Sequence, residues 1–196
     1  MTSPLRIGFA LTGSFCTFGK VMPVIETLTA RGCAVTPLLS YHAATLDTRF
    51  GDAAMWRAKL IELTGREPID TITAAEPIGP KQLFDVLVVA PCTGNTLAKL
   101  AHSIIDTPVT MAVKSHLRGE KPVVLAVSTN DGLSGSAANL GMLLGRRHFY
   151  FVPLRQDAPV AKPRSLVADM ERIPETVGAA LEGRQLQPIL LAPGNG

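Results

Sequence analysis

The sequence predicts an α/β fold in which one parallel β-sheet lies between two layers of helices. Short apolar runs of the kind that form buried parallel strands recur along the chain, at Ile7–Leu11, Val86–Ala90 and Val123–Val127. Segments with apolar residues at helical spacing separate these runs, and Gly or Pro marks the turns between them. This β-α-β-α alternation is typical of a doubly wound parallel sheet, the Rossmann-like or flavodoxin-like three-layer sandwich.

The composition is that of a globular protein with a single domain. Of the 196 residues, 46% are apolar and 18% are charged, which is enough for one full core and excludes intrinsic disorder. We therefore expect one domain over residues 1–196, with a flexible C-terminal tail over about 188–196.

The net charge and the short length of the apolar runs exclude nucleic acids and membranes as expected partners. A net charge of +3 and an aromatic content of 5% do not favour nucleic-acid binding. The apolar runs stop after about six residues, whereas a membrane-spanning helix needs about 20, so we expect a cytoplasmic protein with no membrane partner. The three cysteines and four histidines have no metal-ligand spacing, which predicts reduced thiols and no metal site.

The first elements form a predicted β-α-β unit. Ile7–Leu11 is a short buried strand, and Cys33–Leu39 is a second strand with Pro37 near its end. The helix between them ends at Gly32, and Pro23 is expected in its first turn, where the missing N–H does no harm. The apolar face of this helix comprises Val21, Val24, Ile25 and Leu28.

The middle of the chain contains the strongest strand prediction. Asp85–Ala90 carries an unbroken Val/Leu run, which suits the centre of a parallel sheet. Before it we predict a helix capped by Gly65, a weak strand at Ile69–Ile72, and a loop at Ala74–Gln82, which has two prolines and no periodicity. The apolar face of that helix comprises Ala53, Trp56, Leu60 and Leu63.

The remaining chain repeats the same alternation. Helices are predicted after the Pro91–Gly94 turn, from the Thr107-Pro108 start signal, and around Ala137–Leu144. Leu166–Leu181 has a helical pattern that Pro174 bends or breaks. The further predicted strands are Pro122–Val127 and His148–Val152, the latter being the last strand of the sheet.

Polar turns follow four of the predicted strands at their carboxyl ends, where ligands bind in doubly wound sheets. All but the second lead into a helix N-terminus, where free N–H groups and hydroxyls suit a phosphate or another anion. Gly13 and Gly94 would let such a ligand approach the backbone. The same residue types are ordinary caps and turn formers, but four turns in register favour a nucleotide-like ligand. These turns are Thr12–Ser14, Ser40–His42, Pro91–Thr96 and Ser128–Asp131.

The turn sequences narrow the class of nucleotide. The window Ser14–Val21 has neither the first glycine nor the final hydroxyl of a P-loop. Phe15 and Phe18 stand where the dinucleotide fingerprint starting at Gly13 needs glycines, and no acidic residue ends the second strand. A nicotinamide dinucleotide bound by this chain alone is therefore disfavoured, and flavin mononucleotide (FMN) is the natural candidate.

Few residues suggest nucleophilic catalysis. Cys92 precedes a helix, which could lower its pKa, but no histidine follows at suitable spacing. We interpret Cys92 as packing behind the ligand, with a catalytic thiol as the alternative. Several basic residues lie in or near loops; most are expected on the solvated surface, while one or two could hold an anionic substrate. They are Arg49, Lys81, Lys99, Lys114, Arg155 and Lys162.

Several phrases of the sequence resemble the family of dipicolinate synthase B subunits, and together they extend from about residue 5 to 190. The longer phrases are Thr48–Gly51, Ala75–Lys81, Pro91–Asn95, Ser128–Asp131 and Gln185–Ile189. The shorter ones are Thr12–Ser14, Lys99–Ala101, Gln156-Asp157 and Lys162-Pro163. The Gly-Ser and Pro-x-x-x-Asn-Thr elements are similar to a wider flavoprotein superfamily, the homo-oligomeric flavin-containing cysteine decarboxylases and flavin prenyltransferases.

The resemblance implies a Rossmann-like flavoprotein fold that binds FMN in trimer-based homo-oligomers. By position, the implied phosphate-binding residues are Gly13, Ser14, Thr93 and Thr96. The residues implied to line the flavin or the substrate are Ser40, Asn95, Ser128 and Asn130.

The resemblance also implies a reaction. Two partners, a dehydrogenase-like one of the A type and a flavoprotein-like one of the B type, convert a dihydrodipicolinate precursor to dipicolinate (pyridine-2,6-dicarboxylate) during sporulation. This chain would then be an oxidoreductase subunit that works with the A-type partner in the mother-cell cytosol of a spore-forming bacterium, with NAD(P) entering through that partner. Candidates for binding the small dicarboxylate substrate are Arg49, Lys81 and Asn130, and candidates for catalysis are Asn95 and Asn130.

Two departures from the superfamily pattern bear on the chemistry. No histidine matches the catalytic histidine in an early helix of the decarboxylases, since His42 lies in a different setting. Ser128–Gly132 replaces their methionine-bearing substrate motif. Dehydrogenation is therefore favoured over decarboxylation. The alternatives are a stand-alone FMN-dependent decarboxylase or prenyltransferase, and a non-catalytic scaffold.

Overall fold

Residues 3–192, the part of the chain that this computed structural model describes, form a seven-stranded sheet with helices on both faces. Five strands run parallel in the order β2-β1-β3-β4-β5. A short strand, β7, pairs antiparallel with the end of β4, and β6 pairs antiparallel with β7. The strands are β1 (Arg6–Leu11), β2 (Ala34–Leu39), β3 (Val86–Cys92), β4 (Val123–Thr129), β5 (Phe149–Phe151), β6 (Leu154–Arg155) and β7 (Leu166–Ala168).

The helices alternate with the parallel strands and cover the sheet. α1 packs with α8, and α6 packs with α4 and α5. Since right-handed crossovers on either side of the point where the strand order reverses lead to opposite faces, these two groups form the outer layers. The helices are α1 (Phe18–Ala30), α2 (Tyr41–Thr45), α3 (Ala53–Thr64), α4 (Ile72–Ala75), α5 (Gly94–Ala101), α6 (Pro108–Leu117), α7 (Ala137–Leu144) and α8 (Ile173–Leu181).

The predicted fold class is confirmed. Strand β3 is buried along its whole length, as a central parallel strand covered by helices requires. The strand order reverses between β1 and β3, since the chain winds from β1 outward to β2 and from β3 outward to β4. The predicted parallel strands match β1 to β5 to within two residues at each end.

The predicted helix over Leu166–Leu181 is wrong in its first part. Leu166–Ala168 is strand β7, whose residues pair with Ser128 and Thr129 at the end of β4. Pairing with another strand overrides the local helical pattern here. Helix α8 begins at Ile173, and Pro174 lies in its first turn, so the proline starts the helix rather than bending it. β5 is therefore not the last strand.

The expected position of Pro23 is also wrong. α1 begins at Phe18, which is buried, so Pro23 is the sixth residue of the helix and lies in its second turn. Without an N–H at Pro23, the carbonyl of Gly19 loses its partner four residues on. Gly19 is exposed, so water can serve that carbonyl instead.

The segment before β3 is more ordered than the predicted loop at Ala74–Gln82. It contains the end of α4 and a 3-10 turn at Glu76–Ile78. The weak strand predicted at Ile69–Ile72 is reduced to one bridge between Ile69 and Leu38. Short helices capped by a hydroxyl, here α2 and α4, show too little periodicity for the sequence to reveal them.

The start of the C-terminal tail is attached to the sheet. The Leu154 N–H donates to the Ile189 carbonyl over 2.8 Å, and the Leu191 N–H donates to the Leu154 carbonyl over 2.8 Å. The part of the expected flexible tail at 193–196 lies outside the described residues.

Candidate functional site

An open cleft of about 1100 Å³ lies along the carboxyl edge of the sheet, where the strand order reverses. The turns after β1, β3 and β4 form its floor, and the loops at 46–52 and 156–165 form its two ends. The structure brings seven of the sequence-predicted site residues together in this cleft. They are Gly13, Ser14, Arg49, Thr93, Asn95, Ser128 and Asn130.

Two threonines join the turns after β1 and β3. The Thr12 hydroxyl donates to the Pro91 carbonyl over 2.7 Å and accepts from the Thr93 N–H over 3.0 Å. The Thr93 side chain in turn caps α5, because its Oγ1 accepts from the Thr96 N–H over 3.2 Å. This chain of contacts fixes both turns relative to each other.

The N-terminus of α5 keeps free donors. The N–H groups of Thr96 and Leu97 are bonded to Thr93, whereas those of Gly94 and Asn95 have no hydrogen-bond acceptor among residues 3–192. Because Gly94 and Asn95 line the cleft, these two free N–H groups are available to an anion at the positive end of the helix dipole.

The turn after β1 is also tied to β4. The Ser14 hydroxyl donates to the Ser128 carbonyl over 2.8 Å, and the hydroxyls of Thr17 and Ser128 lie 3.1 Å apart. Two predicted site residues, Ser14 and Ser128, are therefore partly structural. They hold the first and third turns of the floor at a fixed separation.

Asp131 organises the turn after β4. Its Oδ1 accepts from the hydroxyls of Thr129 and Ser136. The hydrogen bond from Thr129 is the main cause that lowers the pKa of Asp131; burial opposes it and the bond from Ser136 adds to it. This cluster packs closely on α5, because a Cβ on Gly94 would lie 2.7 Å from both hydroxyl oxygens.

Three predicted site residues lie outside the cleft lining. The Ser40 hydroxyl caps α2, accepting from the Ala43 N–H over 3.2 Å, and Thr96 is buried behind Thr93. Lys81 is the clear correction. It precedes β3 and therefore lies at the amino edge of the sheet, opposite the cleft. The sequence shows that Lys81 lies in a loop, but it does not by itself show at which edge of the sheet that loop lies.

Other residues of the cleft are not predicted from the sequence as site residues. They include aromatic side chains from both sides of β2, the Asp131 cluster, and charged residues of α1 and of the loop at 156–165. Phe50, Asp131, Asp157 and Lys162 lie in phrases that carry the family resemblance, but nothing in those phrases assigns them to the site. Phe15, Lys20 and Ser136 give no such signal, because they join the cleft only in the fold. The main ones are Phe15, Lys20, Phe50, Asp131, Ser136, Asp157 and Lys162.

Cys92 is a packing residue rather than a nucleophile. It is fully buried at the end of β3, and burial raises the pKa of its thiol to about 12. Across residues 3–192, no three His, Cys, Asp or Glu side chains are grouped so as to hold a metal ion. The described helices also include none with the length and hydrophobicity needed to span a membrane.

The fold and cleft are those of a recognised class of protein: the chain belongs to the Flavoprotein family, whose model matches residues 1–142. It is 47% identical over 186 residues to the dipicolinate synthase B subunit of Bacillus subtilis (strain 168), covering 95% of this chain and 93% of that protein. The resemblance seen in the sequence motifs is thereby confirmed.

Two solved structures complete the comparison. The crystal structure of the dipicolinate synthase B subunit from Bacillus halodurans superposes with a TM-score of 0.89 at 44% identity, covering 97% of this chain and 98% of that one. Burkholderia xenovorans DmrB, solved in complex with FMN and described as a cubic protein cage for redox transfer, gives a TM-score of 0.68 at 17% identity, covering 93% and 98%. The second likeness is one of fold alone.

Proposed function

We propose that this chain binds FMN in the cleft and is the flavoprotein subunit of a dipicolinate synthase. The observation that carries the proposal is the carboxyl edge of the sheet, where free N–H groups, a glycine turn and hydroxyls converge at the reversal of strand order. The 47% identity to a dipicolinate synthase B subunit over nearly the whole chain supports the choice of reaction.

The residues present fit FMN. A cleft of about 1100 Å³ is slightly larger than typical small-ligand sites, which run from roughly 300 to 1,000 Å³, so it has room for FMN. Gly13, Ser14 and Thr93, with the free N–H groups of Gly94 and Asn95, would hold the phosphate. Thr96 and Ser40 would support the site without contacting the phosphate. The Thr96 hydroxyl accepts from the Thr93 hydroxyl, and the Ser40 hydroxyl caps α2. Bound FMN would supply a two-electron acceptor or donor.

The remaining floor residues would position the substrate. Asn95 and Asn130 reach the cleft from the turns after β3 and β4, and both are exposed there. Their amides can donate to and accept from a heterocycle and its carboxylates, so they remain our candidates for catalysis. Ser128 would line the flavin, and Arg49 at the cleft end would attract the negative charge of a small dicarboxylate.

The reaction, compartment and partners that we propose rest on the similarity to dipicolinate synthase B subunits. The reaction is the oxidation of a dihydrodipicolinate precursor to dipicolinate during sporulation, in the cytosol of the mother cell. We propose that this chain acts with a dehydrogenase-like partner, the A-type component of the synthase, which would bring NAD(P), and that it forms a trimer-based homo-oligomer. These partners would account for the lack of a dinucleotide fingerprint in this chain.

The cofactor part is tested by titrating FMN and following the quenching of its fluorescence. A Cβ on Gly13 would lie 3.8 Å from Phe15 and 3.9 Å from Thr93, so the fold accommodates a side chain there while the cleft loses space. We expect Gly13→Val to lose FMN binding at least tenfold with an unchanged circular dichroism spectrum. An identical titration of the variant and the wild type would contradict the proposed site.

The catalytic part is tested in the presence of the dehydrogenase-like partner. The chain is co-expressed with that partner, and dipicolinate formation is assayed for Asn95→Ala and Asn130→Ala. We expect both variants to lower kcat while leaving the complex intact on a sizing column. Full activity in both variants would instead support the non-catalytic scaffold.

A further inference from the structure

The turns after β1 and β3, where we propose that the cofactor phosphate binds, contain no charged side chain. Their available donors are neutral, among them the free N–H groups of Gly94 and Asn95. The cations of the cleft lining belong to other segments and are Lys20 of α1, Arg49 and Lys162. A cofactor phosphate held by neutral donors leaves these cations free for a second anion.

The loop that carries Lys162 is held in place by several contacts. The Gln156 side chain donates to the Pro163 carbonyl over 2.9 Å, and the Lys162 N–H donates to the Ala158 carbonyl over 2.7 Å. The Ser165 hydroxyl donates to the Thr129 carbonyl over 3.3 Å, which ties the loop to the end of β4. The Lys162 side chain is therefore presented to the cleft from a defined position.

Lys162 is paired with a carboxylate of its own loop. Its Nζ lies 3.1 Å from Asp157 Oδ2, and the lysine side chain remains 55% exposed. The other carboxylate oxygen, Asp157 Oδ1, is buried and has no hydrogen-bond partner among residues 3–192, because the nearby Ser165 hydroxyl donates to Thr129. Burial raises the pKa of Asp157, but the Ser165 hydroxyl and Lys162 lower it by more, so the carboxylate is charged. Because the lysine side of this ion pair is exposed, the pair adds little to stability, and a carboxylate from a ligand can take the place of Asp157 on Lys162.

Lys20 lies beside this pair. Lys20, Asp157 and Val167 line both the cleft and the groove that adjoins it between α1 and α8, so they meet where the two join. Within residues 3–192, Lys20 forms no salt bridge, although it is exposed on α1. The adjoining groove also contains Asp169 and Glu175, but these pair with Arg155 and Arg172. Lys162 is thus paired with Asp157, whereas Lys20 lines the same junction without an ion pair in the part of the chain that the structure describes.

We propose that Lys20 and Lys162 form a receptor for the two carboxylates of a small dicarboxylate, and that Asp157 occupies the Lys162 position until the ligand replaces it. This inference rests on the proposed function, whose substrate class it places at the end of the cleft formed by the loop at 156–165. Lys20 and Lys162 are thereby substrate-binding residues, and Asp157 sets the affinity by competition.

The receptor is tested by calorimetric titration of the full chain with pyridine-2,6-dicarboxylate and with pyridine-2-carboxylate, in metal-free buffer. We expect the wild type to bind the dicarboxylate at least tenfold more tightly than the monocarboxylate. Lys20→Met and Lys162→Met should each reduce that preference at least fivefold. Lys114→Met is the matched control, because it removes the same charge from an exposed position on α6 away from the cleft. An undiminished preference in Lys162→Met overturns the receptor.

Substitution of Asp157 should change the dicarboxylate affinity in the opposite direction to substitution of the lysines. Asp157→Asn should raise the affinity for the dicarboxylate at least threefold, since it frees Lys162. Asp157→Asn in a Lys162→Met background should leave the dicarboxylate affinity unchanged. An equal gain in affinity in both backgrounds would mean that removing a negative charge attracts the ligand in general. That result would overturn the proposal that Asp157 competes with the ligand for Lys162. FMN is titrated in parallel. If the wild type binds no FMN while the dicarboxylate results hold, the cofactor proposal fails and the receptor stands.

Discussion

The carboxyl edge and the amino edge of the sheet are formed by the same strands, but they differ in which polar groups have partners within the chain. At the carboxyl edge the turns after β1, β3 and β4 surround an open cleft, where N–H groups and one lysine have no partner among the described residues. At the amino edge, which precedes β1, β3 and β4, Arg6, Asp85 and Lys121 are paired within the chain. The difference indicates that one edge stabilises the fold while the other is reserved for ligands.

The amino edge is a network of charges and hydroxyls. Arg6 contacts Asp85 over 2.6 Å and the Gln82 carbonyl over 2.8 Å, and Lys121 donates to the Phe84 carbonyl over 2.8 Å. The hydrogen bond from Arg6 is the main cause that lowers the pKa of Asp85 to about 2. These paired groups are not available to a ligand, and Lys81, which has no ion pair among the described residues and is exposed at this edge, lies away from the cleft.

The largest effect is expected from Gly79→Ala at the amino edge. The Gly79 N–H donates to the Ser115 hydroxyl over 2.8 Å, and an added Cβ would overlap the Ser115 carbonyl oxygen. We expect the free energy of unfolding to fall by roughly 3 kcal/mol or more, measured by urea denaturation. Gly178→Ala is the control, since nothing lies within 4 Å of its Cβ and Ala in the interior of α8 should leave stability unchanged or raise it by up to about 1 kcal/mol. If Gly79→Ala were as stable as the wild type, the amino edge would not be packed as described.

The next effect is a pH dependence from His116, also at the amino edge. Burial lowers the pKa of His116 to about 4, although the hydrogen bond to the Pro122 carbonyl opposes this. Between pH 6.5 and 4 the unfolded chain binds a proton that the folded protein does not. Stability should therefore be complete above pH 6.5 and fall by roughly 2–3 kcal/mol as the pH approaches 4.

The control for this pH dependence is His116→Gln, which keeps a donor for the Pro122 carbonyl and cannot titrate in this range. Its unfolding free energy should vary less between pH 7 and 4 than that of the wild type. Curves of the same slope for both proteins would assign the pH dependence to other groups.

A smaller effect is expected at the carboxyl edge from Gly94→Ala. The added Cβ would lie 2.7 Å from the Thr129 and Ser136 hydroxyls, which can turn away only by leaving Asp131. FMN affinity should fall about tenfold, or about 1.4 kcal/mol, because the turn that Asp131 organises shifts against α5. The lost hydrogen bonds should lower the free energy of unfolding by less than Gly79→Ala does. If Gly94→Ala lost as much stability as Gly79→Ala but bound FMN as the wild type does, the carboxyl edge would also serve mainly to stabilise the fold.

The smallest effect is expected from Lys81→Ala. Lys81 is exposed at the amino edge, away from the cleft. The affinities for FMN and for pyridine-2,6-dicarboxylate should stay within twofold of the wild type. A marked loss of dicarboxylate affinity would restore Lys81 as a substrate residue.

The parallel sheet was predictable because its strands are continuous apolar runs, and the cleft floor because its turns follow those runs at one edge. The positions of Ser14 and Asn95 in the cleft could therefore be predicted from the sequence. Strand β7 could not, because its three residues acquire their form by pairing with β4. The sequence did not reveal that Lys20 and Asp157 line the same junction, because only the folded chain brings them together.

The pairing of β7 with the last two residues of β4 has a consequence for how the cleft can change. The Flavoprotein match ends at residue 142, and the loop that carries Asp157 and Lys162 comes after it. The turns that we propose for the cofactor thus precede residue 142 and the loop that we propose for the substrate follows it, while β5, β7 and α8 attach the later stretch to the rest of the fold. Exchanging the later stretch could alter the accepted substrate while the earlier one is inherited unchanged.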